Sequence, residues 1–235
     1  MPSVLSVVNL NLILRALRTS AVNPKRYTKR MNDAEELLRA ALLKVPAGLA
    51  EHVVRVVDEA VRLADAHGID KQAVRIAALG HDLMRALNNE RLLGVAADQS
   101  YATEDADRMD PILLHGPLAV AVLREQYNVL DADILGAVAY HTTAHAGMTT
   151  LQKIIFIADK IEPEKRARND AIDRVAELAE TDLDAAMLVY LNQMVEQAVE
   201  VGWPLHPNTV AARNELLARK RASSGDRTNA ERIDR

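Results

Sequence analysis

Apolar positions recur along this chain at intervals of three and four residues, and no stretch alternates with a period of two over the length of a strand. The pattern predicts an all-α, single-domain helical bundle. In "AGLAEHVVRVVDEAVRLADAHGID", Leu49, Val53, Val56, Val57, Ala60, Val61 and Ala64 form one face, with Arg55, Asp58, Glu59, Arg62 and Asp65 on the other. Gly68 closes that helix. Asp70 is placed to cap the next, which runs into "RIAALGHDLMRAL" and carries His81 and Asp82. Pro117 in "LLHGPLAVAVLREQY" suits a first helical position and leaves His115 on the preceding turn. Asp131 caps a helix through "ILGAVAY" that ends at His141, and the loop "TTAHAG" closes at Gly147. The segment "TTLQKIIFIADKIEP" is apolar on almost every side until Pro163, which predicts a helix at the centre of the core. A helix from about Asp182 to Val201, the turn "GWPLHP" and a last helix from about Asn208 complete the domain.

Composition narrows the function. The chain has 235 residues and a 49% hydrophobic content, enough for one domain with a real core. With 29 Lys+Arg against 33 Asp+Glu there is no basic excess of the kind that marks nucleic-acid binding, and aromatics at 3% are too few for a base-stacking platform. A small-molecule partner is the remaining class. Cysteine is absent, so a metal can be held only by His, Asp or Glu, and the chain fits a cytoplasmic protein. Residues 1–32 are basic and free of acids, too short and polar for a membrane span; they are expected to be a loosely ordered leader. The domain is expected over 33–220, followed by a disordered tail over 221–235. The sequence does not give the oligomeric state, and a homodimer stays open.

Candidate chemistry lies where polar groups interrupt apolar runs. His52 shares the core-facing stripe of its helix, His81 and Asp82 sit side by side in apolar company, and Asp159 breaks "IIFIAD". Each has a bland reading. His52 alone fits a core histidine, His81 with Asp82 a chance pair, and Asp159 half of a buried ion pair with Lys153 or Arg85. Taken with His115 and His141, both at helix ends, their joint order outweighs the separate readings and points to one metal cluster.

The order His52, His81-Asp82, Asp159 resembles the HD superfamily of metal-dependent phosphohydrolases. The strings "LLHGP", "YHTTAHAGM", "KIIFIADKIEP" and "HPNTVAARN" resemble the bacterial symmetrical bis(5'-nucleosyl)-tetraphosphatases, which split diadenosine tetraphosphate into two ADP. The resemblance implies one ion on His52, His81, Asp82 and Asp159, and a second on the bridging Asp82 with His115 and His141. It also implies two divalent ions, iron by family association; the sulfur-free donor set suits iron, manganese or another first-row ion. Two ions about 3.5–4 Å apart can hold a hydroxide between them and stabilise phosphoryl charge.

Departures from the family pattern fall near the substrate. Arg85 stands where Lys is usual, one turn after Asp82, and is expected to reach a substrate phosphate. Ala144, His145 and Ala146 replace a Gly-Arg-Pro loop, so His145 is an added ligand, a phosphate contact or a loop residue. Gly80 replaces a larger residue and leaves space. Lys153, Arg213 and His206 are further substrate-contact candidates, each also readable as a surface charge or turn residue, and His67 reads as a helix C-cap. The alternatives are an HD phosphohydrolase for a nucleoside monophosphate, cyclic nucleotide or alarmone, or a non-catalytic nucleotide-binding HD module.

Overall fold

A computed structural model describes residues 24–224. They form helices α1 (Pro24–Leu42), α2 (Ala47–Ala66), α3 (Lys71–Gly80), α4 (Asn89–Asp98), α5 (Asp105–Met109), α6 (His115–Gln126), α7 (Ala132–Tyr140), α8 (Thr150–Ile161), α9 (Pro163–Arg168), α10 (Asp173–Ala179), α11 (Leu183–Val201) and α12 (Pro207–Ser224). Short 3-10 turns at Pro111–Leu114 and Asp170–Ile172 precede α6 and α10. No strand occurs among the described residues, and none of their helices is long and apolar enough to cross a membrane.

Helix α8 is the axis of the bundle. Its Ile154, Ile155, Phe156, Ile157, Ala158 and Ile161 are all fully buried, and α2, α3, α7, α10 and α11 pack around it. Each large apolar side chain so enclosed contributes roughly 1.5–3 kcal/mol. The helix starts in a capping box, where Thr149 accepts from the Gln152 amide and Gln152 reaches back to the Thr149 amide. It stops before Pro163, which opens α9 with Glu162 as its cap.

Three boundaries differ from the sequence reading. Helix α1 runs through residue 33, with Met31 buried beside Ala34 and Leu38, so residues 24–32 belong to the packed bundle; residues 1–23 lie outside the described part. Helix α12 continues past 221 to Ser224, and residues 225–235 likewise lie outside it. Helix α6 begins at His115, two residues before Pro117, whose missing amide hydrogen is still one of the unpaired donors of a first turn. The stretches 88–110 and 163–179, unassigned by periodicity, hold the short helices α4, α5, α9 and α10.

Gly80 does not open a space. A Cβ there would lie 3.0 Å from Leu123 Cδ2, so the glycine lets α6 pack close. Gly116 does the same more tightly, since a Cβ would lie 2.7 Å from Val138 O and 3.1 Å from both Ala139 O and His141 Nδ1. That close approach brings the start of α6 against the end of α7.

Candidate metal centre

Helix ends supply most of the cluster. His81 is the C-cap of α3, with Asp82 on the turn just beyond; His115 opens α6 and His141 caps α7. Thus His81 and Asp82 do not project from the helix interior as the sequence suggested. A helix terminus frees the local backbone to hold a ring. His81 Nδ1 lies 2.6 Å from Ala78 O, His141 Nδ1 lies 2.8 Å from Val138 O, and His115 Nδ1 bonds Ile112 O. A carbonyl only accepts, so each Nδ1 carries the hydrogen and each Nε2 turns inward bare.

His52 is held differently because it sits inside α2, where the neighbouring carbonyls serve the helix. Its Nδ1 lies 3.4 Å from Glu162 Oε1. Glu162 is 1% exposed and accepts from Arg55 Nε at 2.6 Å and from the Glu164 amide at 3.0 Å; Arg55 also pairs with Glu164. Burial alone would raise the Glu162 carboxyl pKa, yet the Arg55 bond and charge, the Glu164 amide and His52 together outweigh it and hold the group below its usual range.

The inward atoms converge. Asp82 divides its oxygens, Oδ1 lying 3.0 Å from His115 Nε2 and 3.5 Å from His141 Nε2, Oδ2 lying 3.5 Å from His81 Nε2 and 3.7 Å from His52 Nε2. Asp159 Oδ1 lies 3.1 Å from His52 Nε2 and 3.9 Å from His81 Nε2. One carboxylate therefore joins two histidine sets. His52, His81 and Asp159 form one group close enough to share an ion, and His81, Asp82 and His141 another.

Electrostatics favour a cation here. Burial opposes ionisation of Asp159, but Lys160 and Lys165 hold it well below the usual carboxylate range. Burial drives His141 down to about 4 and His81 down as well, so both rings are neutral donors near pH 7. Two observations test the fit of a metal. His81 Nε2 is buried with no hydrogen-bond partner, and the Nε2 atoms of His115 and His141 face each other at 2.9 Å. Bare nitrogens so placed repel unless they share a positive ion, and imidazole with carboxylate is a donor set that first-row ions accept.

The cluster forms the floor of a cavity of about 400 Å³ whose wall includes Leu49, Arg85, Ile112, Thr142, Lys160 and Lys165. Arg85 is exposed at that wall. The other substrate candidates do not line it. Lys153 pairs with Asp184, Arg213 donates to Asn192 Oδ1 at 2.7 Å, and His145 Nε2 lies 2.9 Å from Gln152 Oε1 with its ring against Tyr140. His206 is buried, its Nδ1 accepting from the Asn208 amide and its Nε2 lying 3.6 Å from Asp107 Oδ1. His67 bonds the Ala179 carbonyl at 2.7 Å through Nε2, linking the end of α2 to α10. A larger cavity of about 510 Å³ between α10, α11 and α12 contains no histidine, so chemistry and not size marks the site.

The partners of Asp159 are Lys160 and Lys165, not Lys153 or Arg85. Together with Glu162 and Arg55 they escaped the sequence reading, although Lys160 and Glu162 stand in the quoted string "KIIFIADKIEP".

Comparisons with known proteins agree with this geometry. The HD domain model matches residues 49–164, which contain all six clustered side chains. The "Bis(5'-nucleosyl)-tetraphosphatase, symmetrical" of Bacillus subtilis is 32% identical over 71% of this chain and 88% of its own length. That of Halalkalibacterium halodurans is 30% identical with the same coverage. The crystal structure of an HD superfamily hydrolase from Clostridium acetobutylicum superposes with a TM-score of 0.74 at 32% identity, covering 78% of this chain and 97% of that one. The HD domain match, together with relatives about one-third identical along most of their own length, places the chain in the HD-domain family of symmetrical bis(5'-nucleosyl)-tetraphosphatases.

Proposed function

We propose that the protein is a symmetrical bis(5'-nucleosyl)-tetraphosphatase that cleaves diadenosine tetraphosphate into two ADP. The observation that carries the reading is the divided carboxylate of Asp82, one oxygen toward His115 and His141 and the other toward His52 and His81. His52, His81, Asp82 and Asp159 would hold one divalent ion, and Asp82, His115 and His141 a second. Iron is the proposed metal, with manganese the nearest substitute. When bound, such ions activate water and neutralise charge on phosphoryl oxygens.

The chain's own groups do the rest. Arg85 presents a forked guanidinium at the cavity wall, suited to two oxygens of one phosphate. Thr142 lines the same wall, its buried hydroxyl without a hydrogen-bond partner. Glu162 and the three backbone carbonyls keep the rings aimed while substrate enters and leaves.

The test is a product assay on purified, metal-analysed protein. Diadenosine tetraphosphate is compared with a nucleoside monophosphate, a cyclic nucleotide and an alarmone. ADP as sole product supports the reading. ATP with AMP, or a preference for another substrate, replaces it with a different HD phosphohydrolase; nucleotide binding without turnover replaces it with a binding module.

A further inference from the structure

We propose that Lys160 and Lys165 form the polyphosphate-binding wall of this cavity, a role that rests on the phosphohydrolase reading. The two ammonium groups approach Asp159 from different elements, Lys160 from the end of α8 and Lys165 from α9. Lys160 Nζ lies 2.6 Å from Oδ2 and Lys165 Nζ 2.7 Å from Oδ1. Lys160 is only 12% exposed and its Nζ lies 5.3 Å from the centre of the Phe156 ring, so its charge is fixed in direction.

Charge bookkeeping at the cavity makes a second anion necessary. Its lining carboxylates are Asp82 and Asp159, and both belong to the candidate metal cluster; its lining cations are Arg85, Lys160 and Lys165. Once the electrons of Asp159 serve an ion, both lysines lose most of their counter-charge while remaining in a partly enclosed site. A tetraphosphate bridge carries negative charge on every phosphoryl group, and ammonium groups are compact donors to such oxygens. The alternative is that the lysines only neutralise Asp159. That alternative predicts tighter metal binding when they are removed, with nucleotide affinity unchanged.

The experiment is calorimetric titration of ADP into the metal-loaded full chain, with metal content measured on the same samples. Lys160→Met keeps a stem over Phe156 without the charge, Lys165→Met removes the charge from α9, and Lys44→Ala, at an exposed position that does not line the cavity, sets the baseline. Each Met variant is expected to weaken ADP by about tenfold, the double variant by more, as expected for lost charged hydrogen bonds. Metal content should stay at the wild-type level, and Lys160→Arg with Lys165→Arg should restore most of the affinity, which separates lost charge from lost fold. Affinity within about twofold of wild type in the double Met variant overturns the proposal, as does wild-type protein that takes metal but no ADP. If ADP binding depends on the lysines while diadenosine tetraphosphate is not cleaved, the activity assignment fails and the phosphate wall stands.

Discussion

The two halves of the metal cluster are built on different principles. Around His115 and His141 the rings are anchored by carbonyls three residues back in their own turns, and Gly116 brings the two helices together. Around His52 and Asp159 the anchors are side chains from distant positions: Glu162 behind the ring, Arg55 behind Glu162, Lys160 and Lys165 on the carboxylate. The first half is fixed by backbone geometry. The second is set by charge, and single substitutions can tune it.

The largest expected effect comes from the residue shared by both halves. Asp82→Ala removes the joint carboxylate, so turnover should fall by about three orders of magnitude or more and metal content should drop in both halves; residual activity with full metal loading would contradict the bridge. Next is Gly116→Ala. Its new methyl meets backbone oxygens that cannot swing aside, and separation of α6 from α7 should cost about 2–4 kcal/mol in chemical denaturation and weaken the His115–His141 half selectively. Glu162→Gln probes the other half more gently, keeping size while weakening the link to Arg55. Metal affinity should fall about 10–100-fold at one ion only, read by competitive chelation.

The smallest effect is read by pH on chelated protein. His141 has its folded pKa lowered to about 4 by burial, below the unfolded value of about 6.5, so the unfolded chain takes up the proton first. Its contribution to stability is complete above about pH 6.5 and is lost as pH falls toward about 4, at no more than about 1.4 kcal/mol per pH unit. Melting temperatures across that window should decline in wild type and decline less steeply in His141→Gln, where the buried His81 remains.

Much of the bundle was legible because its signals are local. The unbroken apolar run of α8 announced a central helix, the stripe of α2 carried His52 inward, and Asp70 and Asp131 cap the helices they were expected to cap. The short helices α4 and α5 lack an apolar period, and their caps, Asn88 and the Glu104–Asp107 capping box, emerge only in the structure. The six clustered side chains were legible only as a joint pattern. Their supports were not. Lys160 follows Asp159 directly, and adjacent helical residues point about 100° apart, so only the reach of the long stem lets the two meet. Glu162 sits 110 positions from His52, a distance no local pattern spans. Lys153 does not pair with Asp159 for the opposite reason, since Asp184, a neighbour only in the folded chain, takes its charge.

The carbonyl anchors also bear on how fast an ion is captured. Because the tautomer of His81, His115 and His141 is chosen by the fold, lone pairs already point inward before any ion arrives, and no ring must flip or exchange its hydrogen.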